Sequence, residues 1–187
     1  MKVLAATLVL LAASPALAAG PAPAWSVDKP ASKIAFASSF GGTAFSGSFR
    51  TWDAQVRFDP NNLPGSSVVV TIDTAAVSTG DPDRDKTLPD TPWFASAKYP
   101  KAVFRTQSFR ALGGGRYQAI GTLTLRGVTK PLTLPFTLAI TGPNAKMTAQ
   151  MGLNRLAFGV GQGEWAKTNV IPSTVNLTIS LTAHRAK

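Results

Sequence analysis

The sequence predicts an all-β domain: an antiparallel sheet of about eight strands closed into a barrel. Three observations point there. Short runs with two-residue apolar/polar alternation occupy most of the chain, clusters of Gly, Pro, Asn and Asp separate them, and a single stretch breaks the pattern. A parallel α/β sheet would need a helix between most strands, and the runs leave no room for them.

The N-terminus comes first. Met1-Lys2 carries a positive charge, Val3 to Ala13 is apolar or small, and Ser14-Pro15 leads to the small-x-small site Ala16-Leu17-Ala18. About 11 apolar residues fall short of the roughly 20 that span a bilayer. Residues 1–18 are therefore expected to be a secretory signal peptide, with residues 19–187 forming one mature domain. The chain contains no cysteine, which rules out disulfides, thiolate metal sites and a cysteine nucleophile.

The strands follow in order. Ile34 and Phe36 alternate with Ala35 and Ala37. Phe45, Gly47 and Phe49 alternate with Ser46 and Ser48, and Val56 and Phe58 flank Arg57. Asp59-Pro60-Asn61-Asn62-Leu63-Pro64-Gly65 is turn chemistry, and Val68, Val70 and Ile72 resume the alternation. In the second half come Ala102 to Arg105 with Phe109, a turn at Gly113-Gly114-Gly115, and a strand from Tyr117 to Arg126. Leu132, Leu134, Phe136, Leu138 and Ile140 then mark one face of the next. Val175, Leu177, Ile179 and Leu181 alternate strictly with Asn176, Thr178, Ser180 and Thr182, giving one apolar and one wet face.

Asp81 to Lys98 is the exception. Asp81 is suited to cap a helix with Pro82 in its first turn, so a short helical segment near residues 82–97 is expected to cross one end of the barrel. Asp81, Asp83, Asp85 and Asp90 suggest calcium, but the stretch lacks the glycine and closing glutamate of an EF-hand loop. Capping and an ion pair to Arg84 or Lys86 explain the acids more simply, and no metal is assigned.

Charge is uneven. The formal net charge is +10, seven of nine acids lie between Asp53 and Asp90, and residues 91–187 hold 12 Lys/Arg against Glu164 alone. That asymmetry suits an anionic lipid surface or an acidic partner, or is a basic drift on a soluble barrel. An exported chain without a dense basic run is not read as nucleic-acid binding. Enzyme classes fit poorly: the lone His184 lies three residues from the end, and Glu164 is the only glutamate.

Longer phrases resemble the YceI family. Gly47-Ser48-Phe49-Arg50-Thr51-Trp52, running on to Phe58-Asp59, is similar to its G-x-F-x-x-F/W segment. Arg84-Asp85-x-x-Leu88, Trp93-Phe94 and Tyr99-Pro100-x-Ala102-x-Phe104 resemble a second run, and Gly121-Thr122-Leu123-Thr124 through Gly127-Val128-Thr129-Lys130-Pro131 a third. The resemblance implies an eight-stranded antiparallel lipocalin-like barrel with no catalytic centre and no cofactor, often a homodimer, that binds polyisoprenoid or other long apolar molecules. Gly161 to Trp165 and Trp25 to Asp28 resemble the branch encoded beside a b-type membrane cytochrome, which makes such a cytochrome the alternative partner. One departure is plain: a histidine common after the opening aspartate is absent from Asp28-Lys29-Pro30-Ala31-Ser32.

On this reading Phe36, Phe45, Phe49, Phe58, Trp93, Phe94, Phe104, Leu123, Leu125, Phe136, Phe158 and Trp165 are expected to line a tube for an apolar tail. Any one phenylalanine could equally pack the core; the resemblance favours the tube for the set. Arg126 and Lys130, flanking Gly127, are candidates for an anionic headgroup, with Arg155 and Lys167 behind them. They are equally well read as solvent-facing turn charges. The expected role is a periplasmic carrier of a polyisoprenoid or quinone-like lipid. The alternative is a side-chain-filled module that docks on an envelope partner.

Overall fold

The computed structural model describes residues 20–186, so the expected signal peptide lies outside the described residues. The alternating runs form eleven strands that build eight staves. β1 (Ala24–Val27) and β2 (Lys33–Phe40) lie end to end along β11 (Thr174–Arg185) and make the first stave. β3 (Thr43–Phe49) with β4 (Trp52–Arg57) makes the second, and β5 (Ser67–Asp73) with β6 (Val77–Ser78) the third. β7 (Lys101–Gly113), β8 (Arg116–Leu125), β9 (Val128–Thr141), β10 (Asn144–Asn154) and β11 complete the set. Each stave pairs antiparallel with the next, and β11 returns to β1 and β2, closing an eight-stranded antiparallel barrel. Closure removes the unpaired edges that an open sheet would present.

Local chemistry sets the turns. Arg126 and Gly127 join β8 to β9 with φ of +51° and +74°, the sign that a two-residue hairpin of right-handed twist requires at both positions. Gly127 also lies against the Tyr99 ring, where a side chain would collide.

The helical segment is shorter than expected. α1 (Pro82–Thr87) starts as the sequence suggests, with the Asp81 carboxylate accepting from the Asp83 and Arg84 amides at 3.1 Å each. It stops at Leu88, because Pro89 and Pro92 cannot donate to a continuing helix. Residues 89–97 instead wind through turns in which Phe94 N–H bonds to the Leu88 carbonyl and Ala95 takes φ of +49°. Two short 3-10 turns, Arg155–Phe158 and Gly163–Ala166, were not anticipated.

The core divides between the two ends of the barrel. At one end Trp25, Phe58, Ala145 and Ala183 are buried with Phe109, Tyr117 and Phe136 around them. At the other, the loops from Leu88 to Phe94 and Phe158 to Ile171 pack over Phe36, Phe49 and Phe104. The first is called the plug below and the second the cap.

Candidate functional site

Side-chain direction decides what the barrel can hold. On a regular strand alternate residues face inward, yet three irregularities here reset that parity. The turn at Asp28–Ser32 lets Trp25 and Val27 face inward on β1 while Ile34, Phe36 and Ser38 do so on β2. The bend at Arg50–Thr51 does the same for Phe49 and Trp52. On β7 the ladder slips between Thr106 and Ser108, so Phe104 and Phe109, five residues apart, both point in.

The inward faces enclose a cavity of about 560 Å³ running from plug to cap, within the usual range for small-molecule sites. Its walls are valine, leucine, isoleucine, methionine and aromatic side chains. Protein cores leave few voids larger than a water molecule, so this space belongs to the architecture and is no packing defect.

Aromatic rings interlock at the plug. Phe58 meets Phe109 at 5.2 Å, Tyr117 at 5.3 Å and Phe136 at 6.0 Å, all edge-on, and Tyr117 stacks on Phe136 at 5.4 Å. Trp25 Nε1 donates to the Phe58 carbonyl at 2.9 Å, so the indole at this end has its acceptor.

The cap is built differently. Leaving tryptophans aside, the polar side chains on the cavity wall are Ser38, Asp81, Asp83, Arg84, Thr87 and Arg155, and all come from this end. Arg155 organises it. Arg155 is 4% exposed, and its guanidinium donates to five backbone carbonyls, those of Pro172, Val160, Gly161, Trp165 and Ile171, at 2.7–3.3 Å. Burial pulls its pKa down, but an arginine stays charged at any physiological pH. The carbonyl dipoles, with the Trp93 ring 5.8 Å away, offset a cation that forms no ion pair among the described residues.

Asp85 fixes α1. It accepts from Thr79 N–H at 2.6 Å, Thr79 Oγ1 at 2.7 Å and Ser78 Oγ at 3.2 Å. Burial pushes its pKa up, the hydrogen bonds from Thr79 and Ser78 push it down, and the net lies below the ordinary carboxylate range. Arg84 pairs with Asp81 at 3.2 Å and lies over Phe45, 4.2 Å from the ring centre. The β2–β3 turn joins the cap through Gly41 N–H to the Val170 carbonyl at 2.9 Å.

Eleven of the twelve aromatic and aliphatic residues singled out from sequence lie on the cavity wall: Phe36, Phe45, Phe49, Phe58, Trp93, Phe94, Phe104, Leu123, Leu125, Phe136 and Trp165. Phe158 does not. It is 3% exposed and packs behind the wall in the 3-10 turn after β10. The charged candidates are also displaced from the cavity. Arg126 Nη2 donates to the Thr91 carbonyl at 2.8 Å and Gln162 Oε1 at 2.9 Å, stitching two cap loops from outside. Lys130 and Lys167 are exposed and off the wall, and Arg155 is consumed by carbonyls. The alternative reading of Arg126 and Lys130 as charges of a β-turn describes their placement, because a hairpin turn carries its charges outward.

Sequence reading missed Ser38, Phe40 and Arg84. A signal existed for Ser38. Extending the alternation Ile34, Phe36 by two places puts a hydroxyl on an otherwise apolar face. His184 is exposed on β11, its Nδ1 2.7 Å from Asn144 Oδ1 and away from the cavity.

A closed meander of eight strands around an apolar cavity defines a lipocalin-like barrel. Within that class the chain belongs to the YceI-like domain family, whose model matches residues 25–183. A UPF0312 protein of Yersinia pestis (strain Pestoides F) is 42% identical over 88 residues, 47% of this chain and 45% of that one. The chain thus matches about half the length of such curated relatives. The crystal structure of BcnA from Burkholderia cenocepacia superposes with a TM-score of 0.80 at 31% identity, covering 84% of this chain and 99% of that one. A polyisoprenoid binding domain from Saccharophagus degradans shares the fold, with a TM-score of 0.70 at 17% identity over 88% of this chain and 99% of that one.

Proposed function

We propose that this protein is a non-enzymatic carrier that encloses a long apolar molecule of polyisoprenoid type and moves it within the bacterial periplasm. One observation carries the reading: a cavity of about 560 Å³ walled by apolar side chains and stopped at one end by interlocked aromatics. Such walls favour a tail that buries apolar surface, at about 25 cal/mol per Å². A catalytic role would need a base or nucleophile on the wall. Of the titratable groups there, Asp81 caps the helix and pairs with Arg84, and Arg155 is held in carbonyl bonds. Membership of the YceI-like family and the fold shared with a polyisoprenoid binding domain support the same reading. The secretory leader expected from residues 1–18 supports the compartment.

Native mass spectrometry of the mature protein purified from its own envelope tests this, with solvent extraction of whatever accompanies it. A stoichiometric prenyl lipid is the expected result. An apo mass that persists after incubation with prenyl lipids would overturn the carrier and favour the docking module.

A further inference from the structure

We propose that the plug end of the barrel is a docking face for a bilayer surface of anionic lipid, formed by a collar of five cations around the aliphatic tips Leu112 and Ile140. The proposal goes beyond the carrier reading and does not depend on it.

Two hairpin turns share this rim. The β7–β8 turn meets β9 where Leu138 N–H donates to the Gly115 carbonyl at 2.8 Å, and the β9–β10 turn meets β11 where Arg185 N–H donates to the Pro143 carbonyl at 2.8 Å. Leu112 and Ile140 stand two residues before Gly114 and Gly142 of these turns and are 41% and 37% exposed. Ile140 also lines the plug end of the cavity, whereas Leu112 lies off the wall. Phe40, the other large hydrophobic side chain this open among the described residues, belongs to the cap and packs on Trp165 at 6.2 Å. Below the tips, the interlocked rings of Phe58, Tyr117 and Phe136 give the rim a packed floor.

Charge names the partner. Arg57, Arg110, Arg116, Lys146 and Arg185 lie within four residues of their strands' ends at this rim, and all five are exposed and off the cavity wall. None forms an ion pair among the described residues. Arg57 and Arg116 each give one nitrogen to a backbone carbonyl, Ala22 and Gly113, and Arg185 lies over the Trp25 ring. The carboxylates nearest this collar are Asp59, in the β4–β5 loop, and Asp28, whose N–H bonds to the Thr182 carbonyl farther from the rim. Positive charge is therefore in excess. Each Lys or Arg close to an anionic bilayer adds several-fold to binding, and aliphatic side chains that enter the interface add burial. An acidic protein would need a continuous apolar core to its interface, whereas separate tips in a basic collar suit a fluid surface that closes around each of them. Docked this way, the barrel stands on its plug and turns the cap loops away from the bilayer.

The test is co-sedimentation of the purified mature protein with phosphatidylcholine vesicles, with and without about one third phosphatidylglycerol, at about 50 mM and about 500 mM salt. At low salt, binding to the anionic vesicles is expected to be at least about tenfold tighter than to neutral ones, and high salt should remove most of the difference. Arg110→Gln with Arg116→Gln is expected to weaken it about tenfold and Leu112→Ser about fivefold, while Lys130→Gln with Lys167→Gln, at the cap end, leaves it unchanged. The chain has no cysteine, so a polarity-sensitive dye on Leu112→Cys reports insertion without competing labels. Its emission should shift to the blue on anionic vesicles, and the same dye on Lys130→Cys should not respond. Equal binding to neutral and anionic vesicles, or an unshifted dye at position 112, overturns the docking face. Equal losses in the two cation pairs overturn it as well and leave an attraction of net charge without orientation. Failure to sediment with either vesicle overturns the bilayer as partner and leaves the collar to an acidic protein.

Discussion

Trp25 and Trp93 are equally buried, at 6% and 8% exposed, yet they end in opposite states. At the plug, Trp25 Nε1 reaches the Phe58 carbonyl at 2.9 Å and the surrounding rings interlock. At the cap, Trp93 Nε1 has no partner among the described residues, although five carbonyls nearby are all occupied by Arg155. One end of the barrel is finished as a core, and the other is tied by backbone hydrogen bonds yet incomplete in its side-chain hydrogen bonding among the described residues. Hydrogen bonding is thus closed at one end and left open at the other, and substitutions should separate the two.

The largest effect belongs to the plug. Phe58→Ala removes a ring that three others pack on, and a loss of about 3–5 kcal/mol in chemical denaturation is expected, typical of large-to-small changes at packed aromatics. A cost below about 1 kcal/mol would mean that the plug is not what holds that end together.

Next comes Arg155→Met, which leaves five buried carbonyls without their donor. A loss of about 3 kcal/mol is expected, concentrated in the cap: hydrogen exchange of amides in residues 159–172 should accelerate while strands β8 and β9 keep their protection. Uniform acceleration across the barrel would remove the distinction between the two ends.

A smaller effect follows pH. Asp85 is held below the ordinary carboxylate range as described, and so is Asp73, by the Lys101 side chain first and the Ala75 amide next. A carboxyl whose folded pKa is depressed stabilises the fold above its unfolded value and loses that contribution as pH falls through the folded one. The melting temperature should therefore hold steady from pH 7 to about 5 and fall below about pH 4. Asp85→Asn should cost about 1 kcal/mol at pH 7 and flatten part of the acid limb. An unchanged acid limb in this variant would show that Asp85 does not anchor α1.

The smallest effect sharpens the comparison most. Trp93→Phe removes a donor that holds nothing in the protein, so its change in unfolding free energy is expected to stay within about 1 kcal/mol. Trp25→Phe, which strands the Phe58 carbonyl, should cost about 1–3 kcal/mol. Equal losses in the two variants would contradict the division of labour.

Much of this was legible in the chain. The alternation of Val175, Leu177, Ile179 and Leu181 required one wet and one dry face, and Asp81-Pro82 announced where the helix would start, because both signals act between residues a few places apart. Phe109 and Trp52 were not legible as wall residues. Their inward parity depends on a slip at Gln107 and a bend at Arg50–Thr51, and alternation counted through either irregularity gives the wrong face. Phe158 shows the converse, an aromatic of the expected type that the chain carries behind the wall.

What the sequence by itself determined is therefore the class of object: antiparallel strands with one apolar face, enough of them to close, and a capped turn across one end. Those features rest on short-range physics, the two-residue pleat and the conformational limits of Gly, Pro and Asp. Only the tertiary structure decided that the faces enclose a cavity about 560 Å³ in size, that Arg155 is spent on backbone carbonyls, and that Ser38 and Trp93, 55 residues apart, bring their unpartnered atoms to the same end. Hydrogen bonding is satisfied or left open by groups distant in the chain, and barrel closure alone sets which of them meet.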